Sequence, residues 1–150
     1  MGLDHVEYVY TIGMDRAAVE DRLAAAPTGV LALAREGEAY AVPLAIHWDG
    51  ERVLLRLGAH AESDKLAFLE ATTTATLVCY GYTDDDHSWS VVVRGPLTVL
   101  GAPPEAGLDD ATLAESFPPL RVFDESIDDV DPLVVALDPT EVTGRRTTGE

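Results

Sequence analysis

Apolar and polar positions change rhythm several times along this chain. Arg16–Ala26 is rich in Ala and Leu, follows Asp15 and stops at Pro27, which predicts a helix whose N-cap is the Asp15 carboxylate. From Thr28 onward the pattern is sheet-like. Gly29–Ala34 is apolar throughout and reads as one strand, with Glu36-Gly37-Glu38 as its turn. Ala39–Trp48 is a second strand, Asp49-Gly50 a hairpin signal, and Arg52–Leu57 a third strand. Gly58–Glu62 reads as loop, after which Ser63 is placed to cap a short helix ending near Ala71. Thr74–Tyr82 and Ser88–Leu100 are the next two strands, separated by the polar run Thr83–His87. Pro103, Pro104 and Gly107 interrupt the chain before a predicted helix at Asp109–Phe117. A last strand begins at Leu133 and continues toward Arg146. Six strands in mostly antiparallel order predict a mainly β, α+β fold. The expected form is a six-stranded antiparallel barrel, closed or split, with short flanking helices, because closure removes exposed sheet edges.

Pro43 interrupts the second strand at a position where a ladder donor would be missing. An edge or a bulge satisfies that constraint. So does a flat ligand lying alongside in place of a neighbouring strand.

Composition adds the strongest constraint on function. The 150 residues fit a single domain spanning 1–150, and 47% apolar with 25% charged residues is the balance of a folded globule. Net charge is −17, with 27 acidic residues, nine arginines and one lysine, Lys65. Such self-repulsion is tolerated where salt screens it, so the expectation is a protein adapted to a salt-loaded cytoplasm. No basic stripe is available for DNA, RNA or an anionic membrane. No apolar run reaches a membrane span and no leader-like segment opens the chain, so a cytoplasmic location is expected. Cys79, the only cysteine, sits in an apolar strand and reads as a core thiol.

The chemistry is sparse. There is no P-loop, CxxC pair, HExxH or Ser-His-Asp arrangement. Asp84-Asp85-Asp86-His87 lacks the spacing of a calcium loop and reads as a solvated tip, so no metal is expected. His60 reads as a solvated loop residue, Trp48 and Trp89 as packing residues, and Arg94 as a strand surface residue. Arg145 and Arg146 lie where they can reach a neighbouring subunit. Lys65, just after Ser63 at a helix start, suits an anion, since positive charge, N–H donors and the helix dipole act together there.

In order and spacing, Ala26-Pro-Thr-Gly-Val-Leu-Ala-Leu, Tyr40-Ala-Val-Pro-Leu-Ala-Ile with Asp49-Gly50, Leu54-Leu-Arg-Leu-Gly leading to Ser63-Asp-Lys65, and Trp89–Gly95 resemble one family. It is the pyridoxamine 5'-phosphate oxidase-like FMN-binding split barrels, above all the short branch that includes nitroimidazole-resistance proteins. The likeness covers roughly residues 15–100 and the final strand. It implies FMN as cofactor, with its phosphate near Ser63 and Lys65. The ring would lie along Val42, Pro43 and Leu44, with Arg56 and Leu57 on the next strand, and Ser90 as a polar contact to the ring or ribityl chain. Asp64 stands where the family often has a basic residue, which leaves Arg56 to supply a second charge or simply to pair at the surface. The resemblance further implies a homodimer with the cofactor site between subunits, and an FMN-dependent oxidoreductase acting on a small molecule. The C-terminal substrate-binding signature of the true pyridoxamine 5'-phosphate oxidases is missing. Two alternatives stay open: a reductase of the same fold using the deazaflavin F420, and a non-catalytic flavin or haem carrier or structural domain.

Overall fold

The computed structural model describes residues 11–59, 64–83, 87–102 and 131–147. In chain order the elements are β1 (Thr11–Gly13), α1 (Arg16–Ala25), β2 (Thr28–Arg35), β3 (Glu38–Trp48), β4 (Val53–Ala59) and α2 (Asp64–Ala71). Then come β5 (Ala75–Tyr82), β6 (Ser88–Gly95), β7 (Leu97–Gly101), β8 (Asp131–Leu137) and β9 (Glu141–Thr147). Asp15 caps α1 as expected, its Oδ1 accepting from the Ala18 N–H at 2.8 Å. At the β3–β4 hairpin, Gly50 takes a φ of +100°, while Asp49 Oδ1 accepts from the Glu51 and Arg52 N–H groups at 2.8 and 2.6 Å.

The strands form one sheet in the order β1-β9-β6-β5-β2-β3-β4-β8-β7, and every ladder is antiparallel. Nine strands stand where six were expected, and the reason is a corner. β6 runs directly into β7 across Pro96, and β8 into β9 across Asp138, Pro139 and Thr140. β6 pairs with β9 while β7 pairs with β8, so two long bent strands lie side by side through the corner. Counted as long strands, β2, β3, β4, β5, β6–β7 and β8–β9 make a ring of six, and β1 adds three residues outside β9. The corner is tied by Asp138 N–H to Pro96 O at 3.0 Å and by Thr140 N–H to Arg94 O at 2.8 Å. The mainly β, antiparallel barrel expected from the sequence is the observed fold class.

Alternation along each strand fills the barrel. Leu31, Leu33, Val42, Leu44, Ile46, Val53, Leu55 and Leu57 point inward and meet Leu77, Val91, Val93, Val135 and Leu137. A barrel of this size is a packed core, with no room for an axial channel. α1 contributes Val19 and Leu23 to that core, and α2 contributes Phe68 and Leu69. The end of α2 is tied to β2 through Thr72, whose Oγ1 accepts from the Ala34 N–H at 3.0 Å. The predicted helix at Asp109–Phe117 lies outside the described residues.

Cys79 is buried among the apolar side chains, and burial alone pushes its thiol up from 9.0 to about 11. The neutral thiol therefore contributes stability that is fully present below 9.0 and is lost as pH rises toward about 11. In native protein near pH ~8 a thiol reagent is expected to label Cys79 only as fast as the barrel opens. Labelling at the rate of a free thiol would contradict this placement.

Candidate functional site

The ladder between β3 and β4 is shorter than either strand. It joins only Ala45–Trp48 to Val53–Arg56, after which the two strands part. β3 continues from Leu44 back to Glu38 on β2, while β4 carries Leu57–Ala59 onto β8. Among the described residues, no strand pairs with the β4 side of Tyr40–Leu44. Every second residue there presents its backbone N–H and C=O to the gap. Pro43 stands in this stretch, paired with Val30 on one side only and exposed. The missing donor thus costs no ladder bond, because the barrel is split at that point.

α2 closes one side of the split. Its Phe68 ring stacks with Tyr40 of β3 at 5.3 Å between centroids and 28° between planes. One turn earlier, Lys65 is half-buried and donates from Nζ to the Gly58 carbonyl of β4 at 3.1 Å. Arg56 lies two residues before Gly58, so both fall on the outer face of β4. Directly opposite Arg56 on β3 is Ala45, with Pro43 next on the same face. The structure therefore ties Lys65 to β4 just past the end of the β3–β4 ladder, and places Arg56 and Pro43 on the outer face of the two strands beside it.

Other candidates behave differently. Val42, Leu44 and Leu57 are buried in the barrel core, so their side chains point away from the split. Ser63 and His60 lie outside the described residues, as do Asp84, Asp85 and Asp86. Asp64 is described and exposed. Ser90, on β6, lies two strands from β4 by way of β8–β9 in the ring of six long strands. It pairs with Tyr80 of β5 and Arg145 of β9. Tyr80 and Tyr82 are 66% and 78% exposed, a large aromatic surface on the outer face beside Ser90.

The remaining sequence candidates have structural roles. Trp48 and Trp89 pack against the core, and Arg22 lies over the Trp89 ring at 4.8 Å. Arg94 is exposed and pairs with Glu141 at 3.4 Å. Arg145 holds β1 in place, donating from Nε and Nη2 to Thr11 at 2.8 and 2.7 Å. Among the described residues no cluster of His, Cys, Asp and Glu is arranged to hold a metal, and no helix is long and apolar enough to cross a membrane. A cavity of about 350 Å³ is lined by Val19, Leu23, Trp48, Glu51 and Val142. It lies by the β3–β4 hairpin, at the end of β4 away from Gly58 and the split.

Sequence reasoning missed the Gly58 carbonyl and the Tyr40–Phe68 stack. Nothing in the pattern shows which backbone group an ammonium will meet, whereas an aromatic on the inner face of the α2 pattern was a usable signal for a platform.

The sequence profile of the family described as Pyridoxamine 5'-phosphate oxidase matches residues 15–146. No curated protein sequence matches the chain. Among solved structures, an FAD-binding protein from Mesorhizobium loti is similar with a TM-score of 0.75 and 16% identity, over 92% of this chain and 99% of that one. A Bacteroides thetaiotaomicron protein assigned to 5-nitroimidazole antibiotic resistance is similar with a TM-score of 0.68 and 18% identity, over 94% and 90% of the two chains. An FAD- and haem-binding protein from Mycobacterium smegmatis is similar with a TM-score of 0.64 and 18% identity, over 93% and 74%. At these identities the likeness is one of fold.

Proposed function

The chain belongs to the pyridoxamine 5'-phosphate oxidase family, and from that premise we propose that it is an FMN-binding flavoprotein, an oxidoreductase acting on a small molecule. The observation that carries this reading is the split between β3 and β4. An unpaired strand edge opens where Lys65 reaches the Gly58 carbonyl of β4 and Arg56 ends the β3–β4 ladder, in a chain whose net charge of −17 otherwise repels anions. A phosphate needs directed positive charge, and an aromatic ring needs an apolar edge with a few polar backbone groups. The split supplies both.

Lys65 and Arg56 would hold the phosphate, and Ser63, two residues before Lys65 in sequence, is proposed as a further ligand. The backbone of Val42, Pro43 and Leu44 would face the ring edge, with the backbone of Leu57 on the opposite strand. Flavin supplies the electron chemistry when bound, and the chain's part is to bind, orient and shield it. Ser90 would give a polar contact to the ring or ribityl chain with residues of a second copy nearby, and the exposed Tyr80 and Tyr82 would be buried in that contact between copies. The protein would be a homodimer with the cofactor at the subunit interface, each chain a single domain, in a salt-loaded cytoplasm.

Titration with FMN and with F420 in high salt, followed by flavin fluorescence and sedimentation, tests the proposal. The expected result is saturable FMN binding by a dimer, with F420 weaker because its longer acidic tail finds few further cations. A protein that ignores FMN at every salt concentration would overturn it and leave a structural role for the fold.

A further inference from the structure

The cavity beside the β3–β4 hairpin lies between α1 and the turn from β8 to β9. One of its ends is fixed at Gly144. A Cβ there would come within 2.7 Å of the Val19 Cγ2 and 3.1 Å of the Met14 sulfur, and the Met14 N–H donates to the Gly144 carbonyl at 2.9 Å. Two residues back along β9, Val142 borders about 350 Å³ of open space. The walls are apolar, formed by Met14, Val19, Leu23, Trp48 and Val142. Charged side chains join them from α1 and the hairpin. Arg16 pairs with Glu20 at 3.4 Å but is 84% exposed, so that pair is solvated and weak. Glu51 has no ion pair among the described residues. The Thr140 hydroxyl is engaged with the Arg94 carbonyl at 3.1 Å.

The backbone of β9 adds a further polar group. Gly144 turns its carbonyl toward Met14, away from β6, and Val142, two residues earlier, turns its own N–H and C=O to the same side. β1 pairs only with Arg145–Thr147, so among the described residues no strand meets Val142 there. We propose that this cavity is a second binding site, which takes a small arylalkyl ammonium ion. Its volume is near the lower end for small-molecule sites, roughly 300 Å³, and suits a single or fused ring on a short arm. The ring would lie against Trp48, Leu23 and Val19. The ammonium, with three donors and no acceptor, would donate to the Glu20 and Glu51 carboxylates and the Val142 carbonyl. An anion finds no equivalent, because the one cation of the lining, Arg16, is matched by Glu20 and the net charge of −17 adds repulsion. None of Lys65, Arg56 and Pro43 lines this cavity, so it is separable from the split.

Calorimetry on the whole chain with 2-phenylethylamine, 2-phenylethanol and 3-phenylpropanoate, at matched salt, tests the site. The amine is expected to bind saturably and about fivefold more tightly than the alcohol, the preference that two exposed carboxylates supply, and the carboxylate not measurably. Glu51→Gln should cut that preference to about twofold. Val142→Trp, which places an indole in the space, should weaken both amine and alcohol by about tenfold or more. FMN titrations should be the same in the wild type and both variants. If Val142→Trp folds poorly, Glu51→Gln decides, since it removes a charge and keeps the shape. Equal affinity for all three compounds, or an amine preference unchanged by Glu51→Gln, would overturn the cation site. Competition between FMN and the amine would move the amine to the split and overturn it too. No binding of any of the three at millimolar concentration would overturn the cavity as a site, and would leave the flavin reading untouched.

Discussion

Gly95→Ala is expected to destabilise this protein more than any other single methyl addition considered, by about 3 kcal/mol or more, and to yield much of the chain unfolded. Gly95 is the last residue of β6, at the corner where the long strand bends into β7. A Cβ built there would lie 1.7 Å from the Asp138 carbonyl oxygen and 2.8 Å from its carbon. Both obstacles are backbone, so no rotamer change relieves them. Relief requires the β8–β9 turn to retreat, and that turn carries the hydrogen bonds from Asp138 to Pro96 and from Thr140 to Arg94. Loss of these bonds opens the ring at the corner shared by its two long bent strands. Gly13→Ala, where no atom lies within 4 Å, is the matched control and should shift stability by less than about 1 kcal/mol. Denaturant midpoints of the two variants decide the matter. A Gly95→Ala protein as stable as the control would show that the corner does not close the barrel.

Lys65→Ala is expected to weaken FMN binding by roughly 10- to 100-fold while leaving the apo protein folded. The magnitude follows from removing one charged hydrogen-bond donor to a phosphate, worth about 1.5–3 kcal/mol. In the absence of ligand the same ammonium donates to the Gly58 carbonyl at 3.1 Å from a half-buried position, a contact worth about 1 kcal/mol, so apo stability should fall far less than affinity. The separation of the two effects is the diagnostic. If Lys65 were an ordinary structural contact, stability would change and affinity would not. Unchanged FMN affinity in a well-folded Lys65→Ala protein would remove the phosphate assignment and, with it, the reason for placing the flavin in the split.

Much of the architecture is legible in the linear pattern because it depends on near neighbours. The six long strands follow from runs of alternating or continuous apolar residues, and Asp15 and Asp49-Gly50 mark boundaries through local hydrogen bonds and a positive φ. Cys79 reads as a core thiol because its neighbours in the strand are apolar. Lys65 stands out by rarity alone. The family resemblance, carried by the order of these segments, pointed to the fold class that the sheet then displayed.

What the pattern could not contain is set by contacts between residues distant in the chain. Ser88–Leu100 is one continuous sheet-like run, and only the approach of Asp138 to Gly95 turns it into two strands around a corner. Pro43 announces a place without a ladder partner, but the departure of β4 toward β8 makes that place a gap. Ser90 and Lys65 are grouped in the sequence reading, but which strands lie between them is fixed only when the ring closes. Arg35 drew no attention in sequence, since its seat on the Phe68 ring exists only once α2 packs against β2. Local periodicity and capping are short-range free-energy preferences, so the amino-acid order alone determined the elements. Which edges meet, which part and which charges are left facing a gap depends on closing the barrel, and that was decided by the tertiary structure.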